Sequence, residues 1–96
     1  MRLPIKLACE RFLSTQPMNM GECVELFELA QTVEEAKALA GAYAEGIEDG
    51  AGLDPVAAHQ RTMSNLKFGF SYMDRPHLLP LYFPSEAVSP EAPAED

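Results

Sequence analysis

Tryptophan is absent, cysteine and histidine occur only twice each, and aromatic residues make up 8% of the chain. Each shortage closes a class of function. Cys9 and Cys23 lie 14 residues apart and form no C-x-x-C pair, so no zinc-ribbon or thioredoxin-like spacing is present. Neither is preceded by an apolar stretch of the kind that leads a secreted or lipid-anchored protein, since Lys6 stands three positions before Cys9. No run approaches the roughly 20 apolar residues that cross a bilayer. The expected compartment is the cytoplasm, with both thiols reduced. There is no phosphate-cradling glycine loop, no G-x-S-x-G and no H-E-x-x-H.

Basic residues are also scarce. Seven lysines and arginines face fifteen acids, for a net charge of −8. The imbalance is local: residues 22–54 carry nine acids against Lys37 alone, and the last twelve residues carry four acids and no base. The segments on either side of the acidic block are mildly basic, each +2. Such a surface repels phosphate backbones, which argues against direct nucleic-acid binding, and attracts basic protein surfaces.

What is present is material for helices. Hydrophobic residues reach 47% of 96 positions, enough for one domain with its own core. With few aromatics, alanine, leucine and methionine must fill much of it, and these favour helix. The fold expected is all-α: a small bundle of about four helices over residues 1–84, an extended C-terminal segment, and a disordered Pro/Ala-rich acidic tail at 85–96.

The first helix is expected over residues 3–17, with Pro4 in its first turn and Ile5, Ala8, Cys9, Phe12 and Leu13 on one face. A second follows Asn19, whose partner Glu22 completes a capping-box pattern, with Met20, Cys23, Val24, Phe27 and Ala30 as its stripe. Thr32 and Glu35 repeat the pattern before a third helix, where Val33, Ala36, Ala40, Tyr43 and Ile47 mark a narrow seam. Asp54-Pro55 opens a fourth, with Val56, Met63, Leu66, Phe70 and Met73 inward. Phe68, Phe70 and Tyr72 also alternate as in a strand, so residues 66–73 are open to either reading, with all three aromatics expected in the core. "RPHLLPLYFP" reads as an extended strap anchored by Leu78, Leu79, Leu81, Tyr82 and Phe83.

The stretch "EGIEDGAGLDP", residues 45–55, holds four carboxylates and three glycines. As a calcium loop it fails, because Ile47 and Val56 would fall on ligand positions. As a helix end it works, with Gly50 or Gly52 as the left-handed cap. Glu45, Glu48 and Asp49 then sit in the last turns, where the helix dipole is negative and each acid is unfavourable by roughly 0.3–1 kcal/mol. A local conflict of this kind often marks function.

Cys23, His59 and Asp54 can be drawn as a nucleophile set, and Cys9, Cys23 and His59 as metal ligands. Their spacing fits neither family of sites, and Glu22 and Glu25 would raise the thiol pKa. His59 is expected as a partly buried, hydrogen-bonded side chain. No catalysis, cofactor or metal is expected. The function expected is protein binding. An acidic face of Glu22, Glu25, Glu28, Glu45, Glu48 and Asp49 would dock a basic partner surface, for instance one that otherwise holds nucleic acid. Small acidic inhibitors from phages and mobile elements, anti-CRISPR proteins among them, use this principle, and the chain is similar to them in size and charge alone. Two alternatives stand beside this one: a helical homodimer through the seam of the third helix, and a small enzyme or metal site around Cys23 and His59.

Overall fold

The structure is a computed structural model that describes residues 1–14 and 16–84. The tail expected at 85–96 lies outside them. Five α-helices follow one another: α1 (Leu3–Leu13), α2 (Met20–Phe27), α3 (Val33–Ala51), α4 (Pro55–Tyr72) and, after a 3-10 turn at Pro76–Leu78, the short α5 (Leu79–Tyr82). No strand occurs among the described residues. The all-α bundle is therefore the fold.

The starts of three helices are fixed by side chains. The N–H of Glu22 donates to Asn19 Oδ1 at 2.8 Å, that of Glu35 to Thr32 Oγ1 at 3.1 Å, and that of Ala57 to Asp54 Oδ1 at 2.8 Å. Each side-chain oxygen satisfies one of the four N–H groups a helix start leaves open. Gly52 ends α3 at φ 68°, where a Cβ would be strained, and its N–H closes on the Glu48 carbonyl at 3.0 Å. Asp74 supplies the left-handed residue after α4, with φ 59°. The N–H of Arg75 reaches the Phe70 carbonyl and that of Asp74 reaches Ser71, the bond pattern of a Schellman end built without glycine.

α3 is the axis of the molecule. α1 runs parallel to it: Arg2 meets Glu35 at one end, and Phe12 covers Gly46 at the other. α4 returns antiparallel after the three-residue turn at 52–54, and α5 closes over the start of α3. Buried on α3 are Ala36, Leu39, Ala42 and Gly46, so the buried face is rotated from the seam read in the sequence, and Val33 is exposed. α1 lies against the flank that runs from Glu35 through Ala38 to Gly46, which the seam left out. The seam residues Ala40 and Tyr43 are partly buried and packed against the core from within the chain.

The core centres on an aromatic cluster. Phe27 stacks on Phe12 at 4.8 Å between centroids and meets Tyr43, Phe70 and Tyr82 edge-on at 5.5, 6.0 and 5.4 Å. Edge and offset contacts of this kind add to the area term. Tyr82 donates its phenol hydrogen at 2.6 Å to the Phe27 carbonyl at the end of α2, which also accepts the Ala30 N–H at 3.4 Å.

Three readings are corrected. The helix continues through residues 66–72, as one of the two readings had it, but the three aromatics are not all in the core: Phe68 and Tyr72 share one face at i, i+4 while Phe70 points the other way. Phe70 is fully buried, but Phe68 and Tyr72 are 59% and 69% exposed and stack on each other at 5.6 Å. The C-terminal strap is helical, not extended. Pro76 and Pro80 stand in first-turn positions, where a missing N–H costs nothing, and Leu78, Tyr82 and Phe83 are buried as anchors. α1 ends at Leu13, short of Pro17, and Leu13 and Val56 are exposed.

Arginines tie the loops. Arg2 donates to both Glu35 oxygens, at 2.7 and 2.9 Å, and to the Leu29 carbonyl at 2.8 Å. Glu35 Oε1 also accepts the Gln31 N–H at 2.8 Å. The guanidinium first, and this backbone N–H second, hold the Glu35 carboxyl at about 2 against an ordinary 4.5. A carboxyl lowered by folding stabilises the native state above its unfolded pKa and loses that effect as pH falls toward the folded one. The stability of the wild type should therefore decline on acidification between about 4.5 and 2, and Glu35→Gln should flatten that limb. Urea unfolding across this window checks it; identical slopes for both proteins would contradict it.

Candidate functional site

The six acids expected on one face are divided by the fold. Glu22 receives Arg11 Nε at 3.1 Å, and the same arginine donates to the Pro17 carbonyl, closing the α1–α2 loop. Glu28, just past the end of α2, receives Arg75 Nε at 2.9 Å, with His77 at 3.9 Å. Both glutamates serve as internal ties, with their charge offset by an arginine. Glu25 projects from α2 between them and is exposed.

Glu45, Glu48 and Asp49 form the second group, on the last turns of α3. Glu45 and Asp49 are exposed, at i, i+4 on one face, and Glu48 is half-buried. No basic residue stands in the last turn of this helix. Among the described residues none of the three has an ion-pair partner, whereas Glu22, Glu28 and Glu35 each hold an arginine. Thirteen residues of helix, about 20 Å at 1.5 Å per residue, separate Glu35 from Glu48. Glu28 lies near the Glu35 end, because Arg2 bridges Glu35 and the Leu29 carbonyl. Glu28 and the acids at the end of α3 are therefore not one patch.

The cysteine and histidine sets are not assembled. Cys9 and Cys23 are both free. Cys9 lies beside the Ala38 carbonyl at 3.7 Å, and Cys23 is buried below α3 and α4. Burial, and Glu22 beside it, push the Cys23 thiol pKa up, which opposes nucleophilic use. His59 is exposed, where a partly buried, hydrogen-bonded side chain was expected, and it lines a groove with Ala44, Met63 and Leu81 rather than the cavity that Cys23 lines. Among the described residues no group of three or more His, Cys, Asp or Glu side chains gathers as metal ligands.

No family model, no curated protein and no solved structure matches the chain. The geometry is left to speak for the function. No helix among the described residues is long and apolar enough to cross a membrane.

Features without a signal in the sequence reading are the exposed Phe68–Tyr72 stack on α4 and the polar pair inside the bundle, Tyr43 and Asn65, joined at 3.0 Å. The i, i+4 spacing of Phe68 and Tyr72 was the available clue, masked by their alternation around Phe70. Arg61 stands apart from the other arginines: among the described residues it has neither an ion-pair partner nor a side-chain hydrogen bond.

Proposed function

We propose that this is a non-enzymatic protein-binding protein whose acidic helix end, Glu45, Glu48 and Asp49 on α3 with Glu25 on α2 as a separate contact, docks a basic surface of a partner. The observation that carries the reading is the uneven use of arginine. Glu22, Glu28 and Glu35 are each matched to a guanidinium within the chain, while the three acids at the α3 end are left unmatched against an unfavourable dipole. A partner's lysines or arginines would supply the missing charge at the end of the helix where cations are favoured. If the partner's basic surface otherwise holds nucleic acid, occupying it makes the protein an inhibitor, the role that phage and mobile-element anti-defence proteins such as anti-CRISPRs fill. Glu22 and Glu28 contribute through loop geometry rather than contact.

The test is affinity capture from host-cell lysate with three forms of the chain: wild type, Glu45→Lys/Glu48→Lys/Asp49→Lys, and Glu22→Gln/Glu28→Gln. The expected result is one basic protein enriched by wild type, lost by the α3 variant and kept by the α2 variant, with circular dichroism showing all three folded. Equal enrichment by wild type and the α3 variant would sink the proposal.

A further inference from the structure

Between the ends of α1 and α3 and the middle of α4 lies an open cavity of about 320 Å³, with Gln16, Ile47, Gly50 and Arg61 at its mouth. Its floor, formed by Met18, Cys23, Tyr43 and Asn65, is also the wall of a more enclosed inner chamber of about 90 Å³, lined beyond them by Met20, Val24, Phe27, Leu66 and Phe70. A polar mouth thus adjoins an apolar chamber, the layout of sites that bury the apolar end of a small molecule and fix its polar end.

Two further observations give the polar end its chemistry. Asn65 and Tyr43, bonded at 3.0 Å, are the polar groups on the shared wall. Whichever way the amide is turned, this pair keeps two donors that its own bond does not use, because the single bond takes one of the three on offer, two N–H and one O–H. Part-buried donors of this kind want an acceptor. Arg61, at the mouth, is the arginine without an acid partner among the described residues, while Arg2, Arg11 and Arg75 are each matched. Among the described residues no carboxylate lines either chamber.

We infer that the two chambers bind a small amphipathic carboxylate, an aromatic or short aliphatic acid whose hydrocarbon end enters between Phe27, Leu66 and Phe70 and whose carboxylate meets Arg61 and the Tyr43–Asn65 pair. The planar guanidinium suits a carboxylate, and a charge-assisted bond outweighs a neutral one at the same place. The exposed carboxylates of Glu45 and Asp49 line neither chamber, although Gly46, Ile47, Gly50 and Ala51 of the same helix end do, so the site adjoins the docking face without sharing its charged groups.

The experiment is a titration of full-length protein with phenylacetate and hexanoate, and with their neutral amides phenylacetamide and hexanamide, read by backbone amide NMR shifts. Saturable shifts confined to residues around Tyr43, Gly46, Arg61 and Asn65 are expected, with the acids binding about tenfold more tightly than the amides, as a charged hydrogen bond in place of a neutral one implies. Arg61→Gln, an exposed substitution that leaves the core intact, should erase the preference for the acid and leave amide binding in place. Absence of saturable shifts, shifts elsewhere, equal binding of acid and amide to the wild type, or a preference that survives in Arg61→Gln would each overturn the inference.

Discussion

Phe27→Ala is expected to lower the unfolding free energy by about 3–5 kcal/mol, the range for emptying a large aromatic from a packed core. Phe27 is 2% exposed and is the one ring that touches Phe12, Tyr43, Phe70 and Tyr82 together. These rings come from α1, α3, α4 and α5, so one side chain on the eight-residue α2 holds the other helices to a common centre. Removing it leaves a cavity that neighbours fixed to four separate elements cannot close. Domains of this size are stable by about 5–15 kcal/mol, so the loss is about a fifth or more of the total. Urea unfolding followed by far-ultraviolet dichroism reads it directly. A change below about 1 kcal/mol, the typical effect of a substitution outside such sites, would show that the cluster is not the organising contact.

The second large effect is a contrast between two glycines on one helix. Alanine is favoured over glycine in a helix interior by about 1 kcal/mol, so propensity alone predicts that both Gly41→Ala and Gly46→Ala stabilise. At Gly41 a Cβ meets nothing within 4 Å, and a gain of about 0.5–1 kcal/mol is expected. At Gly46 a Cβ would overlap the carbonyl oxygen of Phe12 and crowd its carbonyl carbon, both backbone, so a rotamer change offers no relief. The end of α1 would have to move off α3, and Phe12 with it. The expected net loss is about 1–3 kcal/mol, as for other overpacked cores. At about 4–8 °C per kcal/mol the two variants should melt on opposite sides of the wild type. Matching shifts of the same sign would show that α1 and α3 are not in contact at this point.

Both effects bear on what could be read from residues alone. Asn19, Thr32 and Asp54 announced the helix starts, because a capping side chain acts over three residues and leaves a local signature. Phe12, Val24, Phe27, Leu66 and Phe70 announced the core, because large apolar side chains at helical spacing contrast with their neighbours. The face of α3 was harder. Between Ala36 and Ala51 so many positions are alanine or glycine that burial leaves little hydrophobic contrast, and Leu39 and Gly46 were read as outside the seam though both are buried. Gly46 is buried for lack of a side chain, which only a neighbouring helix reveals. Likewise the segment read as an extended strap is helical, since Pro80 in the first turn of α5 forgoes no bond.

The candidate face was legible in part. The conflict of Glu45, Glu48 and Asp49 with the dipole was visible once a helix end was placed at Gly52. That Glu22 and Glu28 are tied to Arg11 and Arg75 was not, since those pairs span 11 and 47 residues and depend on how α2 lies against the loops. The arrangement turns a general acidity into two kinds of acid, those that hold loops and those left open.

The most direct measurement is the association rate of the captured partner with wild type and with Glu45→Lys/Glu48→Lys/Asp49→Lys, followed as salt is raised from roughly 0.05 to 0.5 M. Screening over this range shortens the reach of charge from over ~10 Å to under ~8 Å, and electrostatic steering shows as a rate that falls with it. The account predicts a steep decline for the wild type, tenfold or about that, and a slow, nearly salt-independent rate for the variant. Equal rates with equal salt dependence in the two proteins would contradict it, and would place the binding surface away from the end of α3.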